Sequence, residues 1–431
     1  MYLALALQGF ARMRRKLWHA AVMRSGVLTM IVLTLVLMAL AFGWHEHRLG
    51  QFGQLKRDLK KKPLQEDTTT IRPGGQDAIL LERSQFGGGS GPEFLSATLL
   101  PGRGMNILQI TAYLPDKGEV SLLASPSLAE ANRLMTGTGG DAAGAESLKM
   151  GGPIEAPWAG RIYETTTENG QLSTVWRGKR LSLPVVGDGT MATGGLLLKR
   201  ASTVQNSNVM PDGGEAKVSF RAGDFGGHWL SQTDVTTTVE LSGRAIEMTV
   251  QARNIGSEAE PMGIGWQPRF AILSKNREQE TLRLPPAERA EVADRRSGLP
   301  SGRLLPVTGT QYDFTARNGA QLGSLSLDDT FVHLKQTFMD NGPVAEVRDP
   351  ESDYGLRITA MTSNIKAMRV YAPADATFIS IDPQFNFDDP FGHEWAKGED
   401  TGMVVLQPGQ AVQWKIRLEI FSLTQDDSRH L

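Results

Sequence analysis

The stretch "AVQWKIRLEIFSL", Ala411 to Leu423, repeats with a period of two. Val412, Trp414, Ile416, Leu418 and Ile420 fall on one side; Gln413, Lys415, Arg417 and Glu419 fall on the other. Successive side chains of an extended strand point to opposite faces, so this is the pattern of a half-buried strand. "QPGQ", Gln407 to Gln410, leads into it as a turn. The same period runs through "VTTTVELSGRAIEMTVQARNIG", with Val235, Thr237, Val239 and Leu241 on one side. After the turn "SGRA", Ile246, Met248, Val250 and Ala252 repeat it, which is a β-hairpin signal. "NIKAMRVYAP", "KVSFRA" and "RIYETTT" read the same way, and 47 glycines supply turns between short strands. Two short stretches alone predict helices: "SPSLAEANRLMTG" (Ser125 to Gly137), with a serine cap and a glycine stop, and "PPAERAEVADRR" (Pro285 to Arg296). No fixed-period repeat is present. From about residue 77 the expected fold is all-β, a large sandwich of antiparallel strands.

Composition removes several functions. The 45 basic and 47 acidic residues leave a formal net charge of −2, and no lysine–arginine block lies in the C-terminal bulk, so nucleic acid is not an expected partner. The absence of cysteine excludes disulfides, thiolate nucleophiles and cysteine metal sites. "GGGSG", Gly87 to Gly91, lacks the lysine and the strand-to-helix context of a phosphate loop. "MTGTGGDAAGAES", Met135 to Ser147, reads as an exposed excursion, and Asp388 and Asp389 as a solvated loop. No metal or other cofactor is expected.

The N-terminal part is of another kind. "SGVLTMIVLTLVLMALAFGW", Ser25 to Trp44, is about the length that crosses a bilayer as a helix. Arg12, Arg14, Arg15, Lys16 and Arg24 precede it and favour a cytoplasmic N-terminus. Arg48, Lys56, Arg57 and Lys60 to Lys62 follow and blur the charge count, but long domains translocate largely regardless of flanking charge. The expected organisation is a basic segment (1–24), a transmembrane anchor (25–44), a charged linker (45–76), a β domain (77–424) and a tail (425–431). The bulk of the chain then lies outside the cytoplasm. The alternative is a signal peptide cleaved near Ala39-Leu40-Ala41, which gives a secreted protein.

Five stretches in order resemble the galactose mutarotase (aldose 1-epimerase) family. "LLPGRGMNILQITAYLPDKGEVSLL" is similar to its opening strands, and "GGPIEAPWAGRI" to its segment ending in arginine-isoleucine. The hairpin that runs on into "GIGWQPRF" resembles its hairpin and histidine segment, and "SLDDTFVHL" resembles its "L-D-D-x-F" element. "ISIDPQFNFDDPF" resembles the strand that carries its glutamate. The resemblance implies a β-supersandwich that binds a free hexose or a glycan end and needs no cofactor. It also implies ring opening: one group takes the anomeric proton and another gives a proton to the ring oxygen.

Carried over residue by residue, the resemblance makes Asp382 the base, an aspartate where the family has glutamate. Arg161 and Asp328 become the clamps on sugar hydroxyls. Gln267 falls where the family has its acid histidine, and Thr193 is nearest to the second histidine. Glutamine donates a hydrogen bond but no proton, so a non-catalytic carbohydrate-binding or sensing module is the alternative function. His393, on the loop after Asp382, is a possible replacement acid. Trp158 and Trp266 are possible stacking platforms for a sugar ring, because aromatic faces suit its C–H side. The oligomeric state is not indicated.

Overall fold

The computed structural model describes residues 33–38, 71–83, 91–136, 141, 143–163, 167–168, 171–185, 190–338 and 340–428. The chain separates into two compact units, Met1–Gln65 and Glu66–Leu431. In the first, only Leu33–Met38 is described; it is helical, with Leu33, Leu35, Val36, Leu37 and Met38 all at least half exposed. The rest of the expected span Ser25–Trp44 lies outside the described residues. Among the described residues no helix is long and apolar enough to cross a membrane.

The second unit is built on two large sheets. The first has nine strands, in the order Val204–Met210, Gly213–Gly223, Thr233–Leu241, Ala245–Asn254, Ala411–Phe421, Tyr354–Ala360, Val344–Asp349, Thr281–Arg283 and Ala320–Gln321. The second runs Leu299–Pro306, Glu288–Asp294, Leu327–Val332, Ala367–Ala372, Phe378–Gln384, Gly265–Trp266 and Ile154–Glu155, and Arg269–Ala271 also pairs with Phe378–Gln384. A four-stranded sheet, Ile79 to Ser121, adds to these. Every pairing within the sheets is antiparallel, as the period-two patterning predicts.

The predicted hairpin forms in register, with Leu241 opposite Ile246, Val239 opposite Met248 and Val235 opposite Ala252. All the inward positions read from the sequence are buried, including Val412 to Ile420 on the last strand. One core draws on both large sheets: Val250, Trp414 and Ile358 from the first, Phe331, Val370 and Ile381 from the second. The Trp414 indole also donates to the Pro383 carbonyl at 3.1 Å, which ties the last strand to the strand carrying Asp382.

Of the two predicted helices, one forms. Leu128–Thr136 is helical, and the Ser127 hydroxyl caps it by accepting from the Glu130 N–H. Pro285–Arg296 is instead mostly the strand Glu288–Asp294, paired with Leu299–Pro306 and with Leu327–Val332. Its alanines, glutamates and arginines favour a helix locally. Sheet pairing overrides that preference, and the strand places Arg289 on the buried Asp329 carboxylate at 2.6 Å. The excursion after Met135 is anchored, because Asp141 and Arg103 form a buried ion pair. Leu423–Ser428, at the expected tail, forms a short helix.

Ile416 is fully buried between Met248 and Ala360 on neighbouring strands. Ile416→Ala is expected to cost about 2–5 kcal/mol, by lost burial and the cavity left behind. A urea midpoint that stays at the wild-type value would show that this strand does not carry the core.

Candidate functional site

Alternation in the second sheet gives it a face of unusual composition. On Phe378–Gln384, Ile379 and Ile381 enter the core, and Ser380, Asp382 and Gln384 point the other way. Cross-strand register extends that face. Asp382 lies opposite Arg369 and Arg369 opposite Thr330, while Ser380 lies opposite Tyr371 and Arg269, and Tyr371 opposite Asp328. A sheet face this polar ordinarily meets water, yet Asp382 is 2 % exposed. The segment Gly160–Arg161 and the loop Asn386–Asp389 close over it.

Arg369 is the hub. It donates to Asp328 Oδ1 at 2.7 Å and to Asp382 Oδ2 at 3.2 Å, and its Nε lies 3.8 Å from Asp388 Oδ2. Arg161 donates to the second oxygen of Asp328 at 2.6 Å. Asp388 accepts from the Arg161 backbone N–H at 3.0 Å and from the Thr330 hydroxyl at 2.9 Å. Gly298, at the tip of the neighbouring hairpin, passes over Arg161 with a φ of +79°; a Cβ there would fall 1.9 Å from Nη1. Only glycine fits that approach.

The environment separates the carboxyl groups. Burial raises Asp328, but Arg369 and Arg161 outweigh it and hold the group below its ordinary range. Burial pushes Asp382 up to about 6, against the pull of Arg369 and Ser380. Glu155, 1 % exposed, is pushed up to about 8 by burial and by Asp382, so it is a neutral acid at pH 7. The Ser380 hydroxyl lies 2.5 Å from the Pro268 carbonyl and 2.5 Å from Asp382 Oδ1. With one proton, the hydroxyl donates to one of these two acceptors at a time, and where it donates to Asp382 it favours the ionised carboxyl, so the upward shift of Asp382 comes from burial and not from this contact.

Gln267 follows the short strand Gly265–Trp266, adjoining Pro268, and is held through its N–H on the Pro153 carbonyl at 3.0 Å. Its side-chain Oε1 is buried and has no hydrogen-bond partner among the described residues. Arg161, Asp328 and Asp382 are therefore joined through Arg369, and the carbonyl of Pro268, next to Gln267 in the chain, accepts from Ser380 on the strand that carries Asp382. Thr193 pairs with Arg161 on the adjacent strand.

Three expectations need correction. Trp158 and Trp266 are fully buried: Trp158 stacks on Trp229 at 5.6 Å, and Trp266 donates to the Gly152 carbonyl, so neither ring face meets a ligand. Asp388 and Asp389 are not solvated, at 6 % and 4 % exposure. Asp389 accepts from the Tyr163 N–H at 3.1 Å, and its own N–H donates to the Arg161 carbonyl. His393 is exposed and lines a separate cavity. Sequence reading missed Arg369, Ser380 and Glu155. The available signal was a polar residue at alternate positions of "MRVYA" and "ISIDPQ", in strands whose other residues are apolar. Among the described residues, no group of three or more His, Asp or Glu side chains is arranged to hold a metal ion.

Residues 138–419 match the family model described as aldose 1-epimerase. Solved structures of similar fold include a galactose mutarotase-like protein from Clostridium acetobutylicum, with 18% identity over 77% of this chain and 95% of that one, at a TM-score of 0.62. The GalM/aldose epimerase homologue from C. elegans has 17% identity over 80% of this chain and 99% of that one, at 0.60. Galactose 1-epimerase from Lactobacillus acidophilus NCFM has 14% identity over 80% of this chain and 98% of that one, at 0.55. No curated protein matches the sequence.

The neutral state of Glu155 is open to a pH test. Its carboxyl rises from 4.5 to about 8 on folding, so its contribution to stability is full below 4.5 and is lost as pH rises through 8. Glu155→Gln keeps the shape of the neutral acid and removes the titration. Between pH 5 and 8.5, wild type is expected to lose stability relative to the variant, on the order of a few kcal/mol. Urea midpoints that run parallel across that window would mean Glu155 is ionised in the folded protein.

Proposed function

Because this chain belongs to the aldose 1-epimerase family, we propose that its β domain binds an aldose on the polar sheet face around Arg369. The carrying observation is the convergence of Arg161, Asp328 and Asp382, far apart in the sequence, on Arg369, with a buried amide oxygen on Gln267 that has no donor among the described residues. A sugar hydroxyl is a donor of the right kind for that oxygen. The outer rim of the cluster is the Arg161–Asp328 pair, whose side chains are 12 % and 25 % exposed. There a guanidinium donates to, and a carboxylate accepts from, vicinal hydroxyls.

Binding is the part of the reading that the geometry supports furthest. Ring opening needs a base at the anomeric hydroxyl and a proton donor at the ring oxygen. Asp382 has both oxygens engaged, Gln267 supplies no proton, and Glu155 is enclosed. Anomer interconversion is the second reading, favoured by an Asp382 carboxyl that burial raises to about 6. We further propose that residues 25–44 hold the chain to a membrane with the β domain on the extracytoplasmic side. The apolar run and the basic residues before it support this.

Calorimetric titration of the full chain with free hexoses is expected to detect binding that Arg161→Ala weakens at least tenfold, from loss of a charge-assisted hydrogen bond. No hexose binding would end the proposal. Mutarotation followed by NMR is expected to stay near the buffer rate. A faster rate that Asp382→Asn abolishes would promote the second reading. In membranes washed with alkaline carbonate, the full chain is expected to stay in the pellet and a chain lacking residues 1–44 to be released; release of both would remove the anchor.

A further inference from the structure

Beside the polar face lies a cavity of about 510 Å3. That is inside the roughly 300–1,000 Å3 range of small-molecule sites. None of Arg161, Gln267, Asp328, Arg369 or Asp382 lines it. It nonetheless adjoins them along the strand Arg161–Tyr163. Arg161 engages Asp328, and Tyr163, two residues on and on the same side of the strand, lines the cavity. Two residues of extended chain span roughly 7 Å. The Tyr163 hydroxyl donates to the Ser297 carbonyl at 2.6 Å, so the hairpin tip whose Gly298 covers Arg161 also forms a wall of the cavity.

The cavity wall is amphipathic. Val175, Met191, Leu299 and Phe391 supply apolar surface, and Asp389, His393 and Glu394 supply polar groups. Asp389 is held at a positive φ of 49°, and its side chain accepts from the N–H of Tyr163, a residue distant in the chain. Burial and then the facing Glu394 push Asp389 up to about 8, and burial raises Glu394 as well. Both upward shifts favour the protonated form of the pair, in which a carboxyl can donate as well as accept. Asp294 adds a third carboxyl, against Arg296. Such a wall repels an anion and offers hydroxyls both kinds of hydrogen bond, with an aromatic edge for C–H groups.

We propose that this cavity is a second saccharide subsite, so that the ligand of the polar face is a neutral oligosaccharide rather than a free hexose. This rests on the aldose-binding reading. The first ring meets Arg161, Asp328 and Gln267, and the next enters past Tyr163 to lie against Phe391, with its hydroxyls on Asp389 and Glu394.

The test is calorimetric titration of the full chain with glucose and galactose beside maltose, cellobiose and lactose. At least one disaccharide is expected to bind tenfold or more tighter than its constituent hexoses. Val175→Trp, at the exposed rim, fills the cavity and is expected to abolish that gain while leaving hexose affinity within twofold. Phe391→Ala is expected to act in the same direction. Hexose binding with no gain for any disaccharide, or a gain that survives Val175→Trp, overturns the subsite and leaves the aldose reading standing. Binding of neither class overturns both. A uronic-acid disaccharide that binds as tightly as its neutral counterpart overturns the assignment of a neutral ligand.

Discussion

The buried guanidinium of Arg369 organises the site end of the molecule. At 4 % exposure it has left water almost completely, and an unpaired charge there would cost several kcal/mol. It is compensated by Asp328, Asp382 and Asp388, which come from two neighbouring strands and the loop that follows. A planar fork of donors suits this arrangement, and a lysine ammonium would not span it. The carboxyls depend on the arginine in turn. Asp328 stays ionised despite burial because Arg369 and Arg161 face it. Loop Asn386–Asp389 is held down by the same network, because Asp388 bonds the Arg161 N–H and the Thr330 hydroxyl together.

This arrangement explains why a sheet with two buried faces can be polar on one of them. The core face, with Phe331, Val370 and Ile381, follows from ordinary hydrophobic burial. The opposite face is closed by chain rather than by apolar side chains, so each polar atom there must find a partner. Many do: Ser380 with Pro268, Gln384 Nε2 with the Asn386 carbonyl, Asn386 with the Ala159 backbone, while Gln384 Oε1 and Glu155 Oε1 do not among the described residues. Exceptions such as Gln267 Oε1 then stand out, because a buried acceptor left without a donor costs about 1–3 kcal/mol.

The strands were legible in the sequence because period two survives on its own, as Val235 to Ala252 and Val412 to Ile420 demonstrate. Pro285–Arg296 misled because its composition is helical and its strand character comes from partners distant in the chain. The site was partly legible. Arg161, Gln267, Asp328 and Asp382 sit in stretches that resemble one family, and the fold joins Arg161, Asp328 and Asp382 through Arg369. Arg369 was not legible, since a charged residue in a strand reads equally well as solvent-facing when the loop that covers it is unknown. The tryptophans failed for the opposite reason: Trp158 and Trp266 look like stacking platforms in a list of residues, but their surroundings enclose them.

The charge balance of the face bears on what it accepts. Two guanidiniums, Arg161 and Arg369, meet the carboxyls of Asp328, Asp382 and Asp388, and Glu155 is neutral at pH 7. The charges come close to cancellation with one carboxylate in excess, so an anionic ligand gains nothing from the local field. A polyhydroxylated neutral molecule gains from short directional hydrogen bonds instead, and the Arg161–Asp328 rim offers a donor and an acceptor side by side. The same cancellation argues against fast proton transfer. A base already paired with a buried guanidinium must break that pair before it can take a proton from substrate, and the low local dielectric makes the separation costly.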